Sequence, residues 1–266
     1  MSELKEINNT ACFLFDLDGT VYLGDELLPG AKELLTYLDE NSRPYFYLTN
    51  NSSRSRADYS VKLAGYGIEA DEDRIFSSGM ATAIYLKKQK PGARIYLVGT
   101  PSLEEEFDSF GFQLVDDEPD YAVLGFDTTL TYEKIKKLAD FVTEGFPYVA
   151  THPDINCPTP DGYMPDIGAM MAMIKSSTGR EPDLIVGKPH PPMVEAIVEM
   201  TGFKPDQLTM VGDRLYTDIA MADAGIKTVL VLSGETKLQD LANSPHQPDL
   251  VCENLGDLKM KLLGKK

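Results

Sequence analysis

Short apolar runs alternate with segments of helical period along almost the whole chain, and this rhythm restricts the fold more than any other feature of the sequence. The apolar runs are Ala11–Phe15, Tyr45–Leu48, Ile95–Val98, Ala122–Gly125, Tyr148–Ala150, Leu184–Val186, Leu208–Val211 and Thr228–Leu232. The helical segments are Ala31–Glu40, Arg54–Tyr66, Ala81–Lys88, Tyr132–Thr143, Ile167–Ser176, Pro192–Met200, Thr217–Ala224 and Leu255–Leu262. Several stop at glycine, as at Gly65–Gly67, Gly202 and Gly225, because a residue without a Cβ turns left-handed with little strain. Strands bounded by helices build βαβ units, and repeated units give a parallel sheet with helices on its faces. The expected fold class is therefore α/β, with a doubly wound parallel sheet. The 266 residues suit one large or two ordinary domains, and 42% apolar residues suffice for a sizeable core.

Three runs end alike. PYFYLTNNSS, LIVGKPHPP and LTMVGDRLYTD each pass from apolar residues to small polar or charged ones before a helix. TACFLFDLDGT does so more abruptly, ending in Asp16 and Asp18 with no basic neighbour in sequence, and then Gly19. In open parallel sheets, ligands bind outside the carboxyl ends of the strands. These exits make Asp16, Asp18, Thr49, Asn50, Lys188, Asp213 and Asp218 candidates for one crevice. The stretch from Gly79 to Arg180 has strand candidates of its own but none of these exits. It reads as an inserted α/β domain over 80–180, leaving a discontinuous core domain over 1–79 and 181–266.

Charge narrows the function. With 25 basic and 42 acidic residues the formal charge is -17, which argues against a nucleic-acid partner, since that surface needs a basic stripe. It also repels an anionic substrate at long range, so a site for an anion needs positive charge of its own. A bound divalent cation would provide it and would account for paired acids. No apolar run approaches a membrane span, and MSELKEINN has no basic end followed by an apolar stretch. Cys12, Cys157 and Cys252 are scattered and odd in number. The expectation is a cytoplasmic protein with reduced, mostly buried thiols and no membrane partner.

A phosphate ester suits such a crevice. Its hydrolysis needs an aligned nucleophile, a cation for the phosphoryl oxygens and an acid for the leaving oxygen. Asp16, first to emerge from its strand, could act as a covalent nucleophile. Asp18 could protonate the departing alkoxide and later take a proton from water. Asp213 offers an oxygen ligand of the kind Mg²⁺ prefers, and Asp218 could hold the ion's waters or orient Asp213. Lys188 supplies fixed positive charge. Thr49 and the Asn50 amide supply hydrogen bonds to phosphoryl oxygens, and Asn51 is a further candidate for substrate contact.

The order of these residues resembles a known family. DLDGT at 16–20, LTN at 48–50, GKP at 187–189 and GDRLYTD at 212–218 are similar to the four motifs of haloacid dehalogenase-type phosphatases. DGTVYLGDELLPGA, LTNNSSRSR, VGKPHP and LVLSGET look like the NagD or 4-nitrophenylphosphatase branch. The resemblance implies a Rossmann-like core and a large α/β cap of the C2 type inserted between the second and third motifs. It implies Asp16 as nucleophile and Asp18 as acid and base, with the Asp18 main-chain carbonyl, Asp16 and Asp213 holding Mg²⁺. It also implies that Thr49 and Lys188 touch the phosphoryl group, and that Asp218 stands behind them. Relatives often carry a PGxGS-like turn where this chain reads Pro165-Asp166-Ile167-Gly168-Ala169. The implied activity is Mg²⁺-dependent hydrolysis of a small phosphorylated metabolite, with the cap closing over the site and offering a surface on which a homodimer could form. A phosphomutase, phosphonate hydrolase or dehalogenase on the same scaffold is the nearest alternative. A phospho-acceptor signalling module or a binding protein is the next.

The remaining residues have plainer readings. Ser52 or Ser53 would cap the helix that follows. His152-Pro153-Asp154-Ile155-Asn156-Cys157 groups metal-ligand types, but its prolines and irregular spacing favour a loop over the crevice. Met170, Met171 and Met173 would pack in a core. Arg214, beside Asp213, could orient that loop or the cap.

Overall fold

The computed structural model describes residues 2–159 and 162–265. Its main sheet has six strands, all parallel, in the spatial order Leu250–Cys252, Lys227–Val231, Leu208–Gly212, Cys12–Phe15, Tyr45–Thr49 and Ile75–Ser77. The chain starts at Cys12–Phe15, steps outward to Ile75–Ser77, and later returns to the opposite side of the first strand. The strand order thus reverses at Cys12–Phe15, and that is where a doubly wound sheet opens its crevice.

All four residues of this strand are buried, and the pleat divides them. Phe13 and Phe15 face one side with Tyr45, Tyr47 and Val211, while Cys12 and Leu14 face the other with Leu48 and Met210. Helices Ala31–Glu40 and Leu255–Leu262 cover the first side through Leu34, Leu38, Leu255 and Leu258. Helices Ser78–Gln89 and Pro191–Thr201 cover the second through Met80, Leu86, Met193 and Ile197. Each such side chain, once buried, contributes about 1.5–3 kcal/mol, so a strand covered on both faces is a rigid base for whatever follows it.

The second sheet is also parallel, in the order Leu184–Ile185, Tyr148–Ala150, Tyr121–Leu124, Arg94–Val98, Gln113–Leu114. One face, with Ile95, Leu97, Val123 and Val149, joins the apolar cluster that contains Leu14, Met80 and Met193. The other face packs on helices Tyr132–Glu144 and Ile167–Thr178 through Leu138, Val142, Met170 and Ile174. The two sheets therefore share one continuous apolar body. An antiparallel hairpin, Asn156–Thr159 with Gly162–Pro165, projects from the second sheet's side.

The α/β class and the two parallel sheets agree with the sequence reading. Leu184–Ile185 does not: it lies in the second sheet, although the sequence reading placed residues from 181 onward in the core. Thr217–Ala224 was expected as an α-helix, but the chain forms a 3-10 stretch there, over Ile219–Ala224. Helix Arg56–Gly65 is capped by Ser55 in a capping box with Asp58, and not by Ser52 or Ser53. Met170 is in the core as expected, whereas Met173 is exposed. No helix among the described residues is long and apolar enough to cross a membrane.

Candidate active site

Asp16 continues the first strand, its N–H donating to the Val211 carbonyl at 2.9 Å. Asp213 follows the neighbouring strand Leu208–Gly212. One of its oxygens, Oδ2, accepts from the Glu235 N–H at 2.7 Å. The other, Oδ1, is buried without a partner. The carboxylate fits where it does because both walls are glycine: a Cβ on Gly19 or on Gly234 would drive into it. Gly19 also holds φ 93°, in the left-handed region, as the chain turns away after Asp18.

Lys188 is 1% exposed. Its ammonium donates to Asp16 Oδ1 at 2.7 Å, to Asp218 Oδ1 at 2.7 Å and to the Leu48 carbonyl at 3.0 Å. Burial works against its charge, but Asp16 and Asp218 outweigh that and raise its pKa. Asp218 accepts the Arg214 N–H at 3.1 Å on its other oxygen, so it positions both Lys188 and the loop after Asp213.

Carboxylate oxygens of Asp16, Asp213 and Asp218 lie within 4.8 Å of one another. Burial pushes Asp16 up to about 7 against the pull of Lys188. Burial, with Asp16 and Asp218 close by, holds Asp213 well above the usual carboxylate range. If ionised together, Asp16, Asp213, Asp218 and Asp154 would outnumber the two cations beside them, Lys188 and Arg214, and leave surplus negative charge in a dry place. The orphan oxygen of Asp213 is the direct mark of this, since a buried acceptor without a partner costs about 1–3 kcal/mol. A hard divalent cation is the partner that such a set of oxygens fits.

Asp18 lies past the strand, partly exposed, and accepts from Tyr22 Oη at 3.4 Å. Burial also raises its pKa. Thr49 ends the strand Tyr45–Thr49 and accepts the Asn51 N–H at 3.1 Å. The Asn50 side chain accepts the Lys188 N–H at 2.8 Å and donates to the Lys188 carbonyl at 3.1 Å and to Asp154 at 2.8 Å. Its carboxamide is thus occupied in bracing Lys188 and holding Asp154. Asn51 accepts Ser53 on its side chain and Tyr59 Oη on its carbonyl. All eight residues singled out in the sequence converge on one crevice, with the Asn50 carboxamide turned toward Lys188 and Asp154.

Sequence reasoning missed how the loop over the crevice is tied down. Asp154 pairs with Arg214 at 2.7 Å as well as with Asn50. His152 donates or accepts at Ser78 and Thr151 on Nδ1, and meets Asp166 at 2.9 Å on Nε2. Asp166 also accepts the Ile167 N–H at the start of the following helix. Each residue of the His-Asp-Asp cluster thus has protein partners. Ser52, expected as a helix cap, instead bonds Thr151 at 2.9 Å and accepts the Phe126 N–H at 2.9 Å. Only the placement of polar residues just after an apolar run hinted at these cross-sheet contacts.

A parallel sheet that reverses its order at a strand ending in an acid, with a buried lysine and further acids at the adjoining exits, defines a hydrolase of haloacid dehalogenase type. The chain belongs to this family: the haloacid dehalogenase-like hydrolase profile matches residues 13–113, and a HAD-hydrolase-like profile matches residues 185–258. Within it, the chain is a NagD-like phosphatase. It is 34% identical to an acid sugar phosphatase of Staphylococcus aureus over 92% of this chain and 95% of that one. A 4-nitrophenylphosphatase of Thermotoga maritima, 46% identical, superposes with a TM-score of 0.91 over 95% of this chain and 97% of its own. NagD of E. coli, 32% identical, superposes at 0.86 over 94% and 98%.

Proposed function

We propose that this chain is a Mg²⁺-dependent phosphomonoesterase for small phosphorylated metabolites, working through an aspartyl phosphate on Asp16. Asp16 attacks the phosphorus in line, the P–O ester bond breaks, and Asp18 gives its proton to the departing alkoxide. Water then attacks the phosphorus of the acyl phosphate, Asp18 takes the water's proton, and inorganic phosphate leaves with Asp16 restored. Mg²⁺, held by Asp16, Asp213 and the Asp18 main-chain carbonyl, would offset the repulsion between the acids and the phosphoryl oxygens. Lys188 and Thr49 orient those oxygens, and Asp218 holds Lys188 in place. The inserted segment acts as a cap that excludes bulk water; with Leu184–Ile185 in its sheet, the cap runs on to about residue 186.

The observation that carries this reading is the Asp16–Lys188–Asp218 contact beside the orphan oxygen of Asp213. It supplies a nucleophile, a phosphate-binding cation and a ligand for a metal ion in one crevice. The resemblance to proteins named acid sugar phosphatase and 4-nitrophenylphosphatase supports a small phosphoester as this chain's substrate. The test is phosphate release from a panel of phosphomonoesters with Mg²⁺ and with a chelator, alongside Asp16→Asn. Release that needs the cation and disappears in the variant supports the proposal. Stable phosphorylation of Asp16 without release would redirect it to phosphoryl transfer.

A further inference from the structure

Two cavities flank the hairpin that overhangs the crevice. One, of about 280 Å³, shares Asp18, Asn51, Cys157 and Pro158 with the phosphoryl site. The other, of about 240 Å³, is bordered by Asp213 and Glu235 but by neither Asp16 nor Asp18. An ester oxygen that takes a proton from Asp18 must come within about 3 Å of it. The rest of the leaving group then extends into the first cavity.

That cavity is lined by two cations, Arg54 and Lys62. Among the described residues neither has a carboxylate at ion-pair distance, whereas Arg56, two positions from Arg54, pairs with Glu106 at 3.5 Å. Lys62 is half-buried, with its ammonium 3.8 Å from the centre of the Tyr22 ring. Burial lowers its pKa, Asp18 opposes that, and the like charge of Arg54 lowers it further. Asp25 borders the same cavity without pairing with either cation. In a chain with 42 acidic and 25 basic residues, most cations near the crevice are paired. Two left free at the flanking cavity that Asp18 borders mark a place for an anion.

We propose that this cavity is a second anion subsite, in which Arg54 and Lys62 grip a carboxylate or second phosphoryl group on the leaving group. The substrates are then phosphomonoesters with an anionic group at each end. Tyr22 and Tyr59 flank the connecting atoms, and Ser53 and Thr128 offer hydroxyls. The subsite rests on the phosphomonoesterase reading and specifies its substrate class.

The test compares kcat/KM of the full chain with Mg²⁺ on three esters of matched size: 2-hydroxyethyl phosphate, phosphoglycolate and ethane-1,2-diol bisphosphate. The anionic esters should exceed the neutral one by about tenfold or more, chiefly through KM, as charge-assisted bonds allow. Their ranking identifies which anion is bound. Arg54→Met and Lys62→Met should each shrink the anionic-to-neutral ratio by about tenfold, and Lys62→Arg should keep most of it. Equal kcat/KM on all three esters would overturn the subsite, and so would variants that leave the ratio unchanged. Failure to hydrolyse any ester would instead overturn the phosphomonoesterase reading, so the two failures are distinct.

Discussion

Lys188 Nζ reaches Asp16 Oδ1 at 2.7 Å, although 172 positions separate the two residues in sequence. The same ammonium holds Asp218 at 2.7 Å. Removing the cation would leave two buried acids facing each other. Lys188→Met should therefore lower stability by about 3–5 kcal/mol, read as the midpoint of chemical unfolding. Adding Asp218→Asn should recover part of the loss. A double variant no more stable than the single one would show that the pairing energy lies elsewhere.

Asp16→Asn removes the nucleophile but relieves crowding with Asp213 and Asp218. Turnover should fall by at least about a thousandfold, while the thermal midpoint holds or rises. Residual activity above that level would take the covalent role away from Asp16.

Asp18→Asn separates proton transfer from binding. Nitrophenolate leaves without help, whereas an alkoxide needs a proton. The variant should slow alkyl phosphates by about a hundredfold or more, and 4-nitrophenyl phosphate much less at the phosphorylation step. A uniform loss that follows only Mg²⁺ affinity would contradict the acid role.

The pH dependence follows from the acids. Burial raises Asp16 to about 7 in the folded chain, with Lys188 opposing, above the value of about 4 expected when unfolded. A folded pKa above the unfolded one gives stability that is fully present below about pH 4 and is lost as pH rises through about 7. A divalent cation needs the ionised forms and reverses this loss. The thermal shift on adding Mg²⁺ should therefore be several degrees larger at pH 8 than at pH 5.5. Equal shifts would mean that the ion binds away from these acids.

Asp154, four residues beyond the second sheet's strand Tyr148–Ala150, reaches the exits of the first sheet through Asn50 and Arg214. Asp154→Asn keeps the shape but leaves Arg214 only the partly exposed Glu235, at 3.1 Å, as counter-charge, at a cost of about 2–4 kcal/mol. Because Asn50 braces the Lys188 main chain, kcat should fall as well, by about tenfold. Lost stability with unchanged kcat would limit Asp154 to a structural role.

The parallel sheets and the converging residues were legible in the sequence because each strand exit breaks a buried pattern with a polar residue. Acids after FLF, Thr49-Asn50 after YFYL and Lys188 after LIV have no place in a strand's interior. The sequence did not show which sheet Leu184–Ile185 joins, since a short apolar run carries no information about its neighbours. The Asp154–Arg214 pair was hidden for a related reason: 60 positions separate the partners, and an ion pair leaves no periodic trace. That Arg54 and Lys62 have no carboxylate at ion-pair distance among the described residues is likewise a property of three dimensions. The helix start was misplaced because Ser52, Ser53 and Ser55 are equally good caps by type, and tertiary contacts to Thr151 and Phe126 claimed Ser52.

Lys188 sits three residues beyond a strand of the second sheet, yet its ammonium serves the crevice of the first. The short link between the two is held from the first sheet's side, since Asn50 bonds both main-chain groups of Lys188. A residue inserted or removed between Ile185 and Lys188 would therefore pull the ammonium away from Asp16 even with every crevice side chain unchanged.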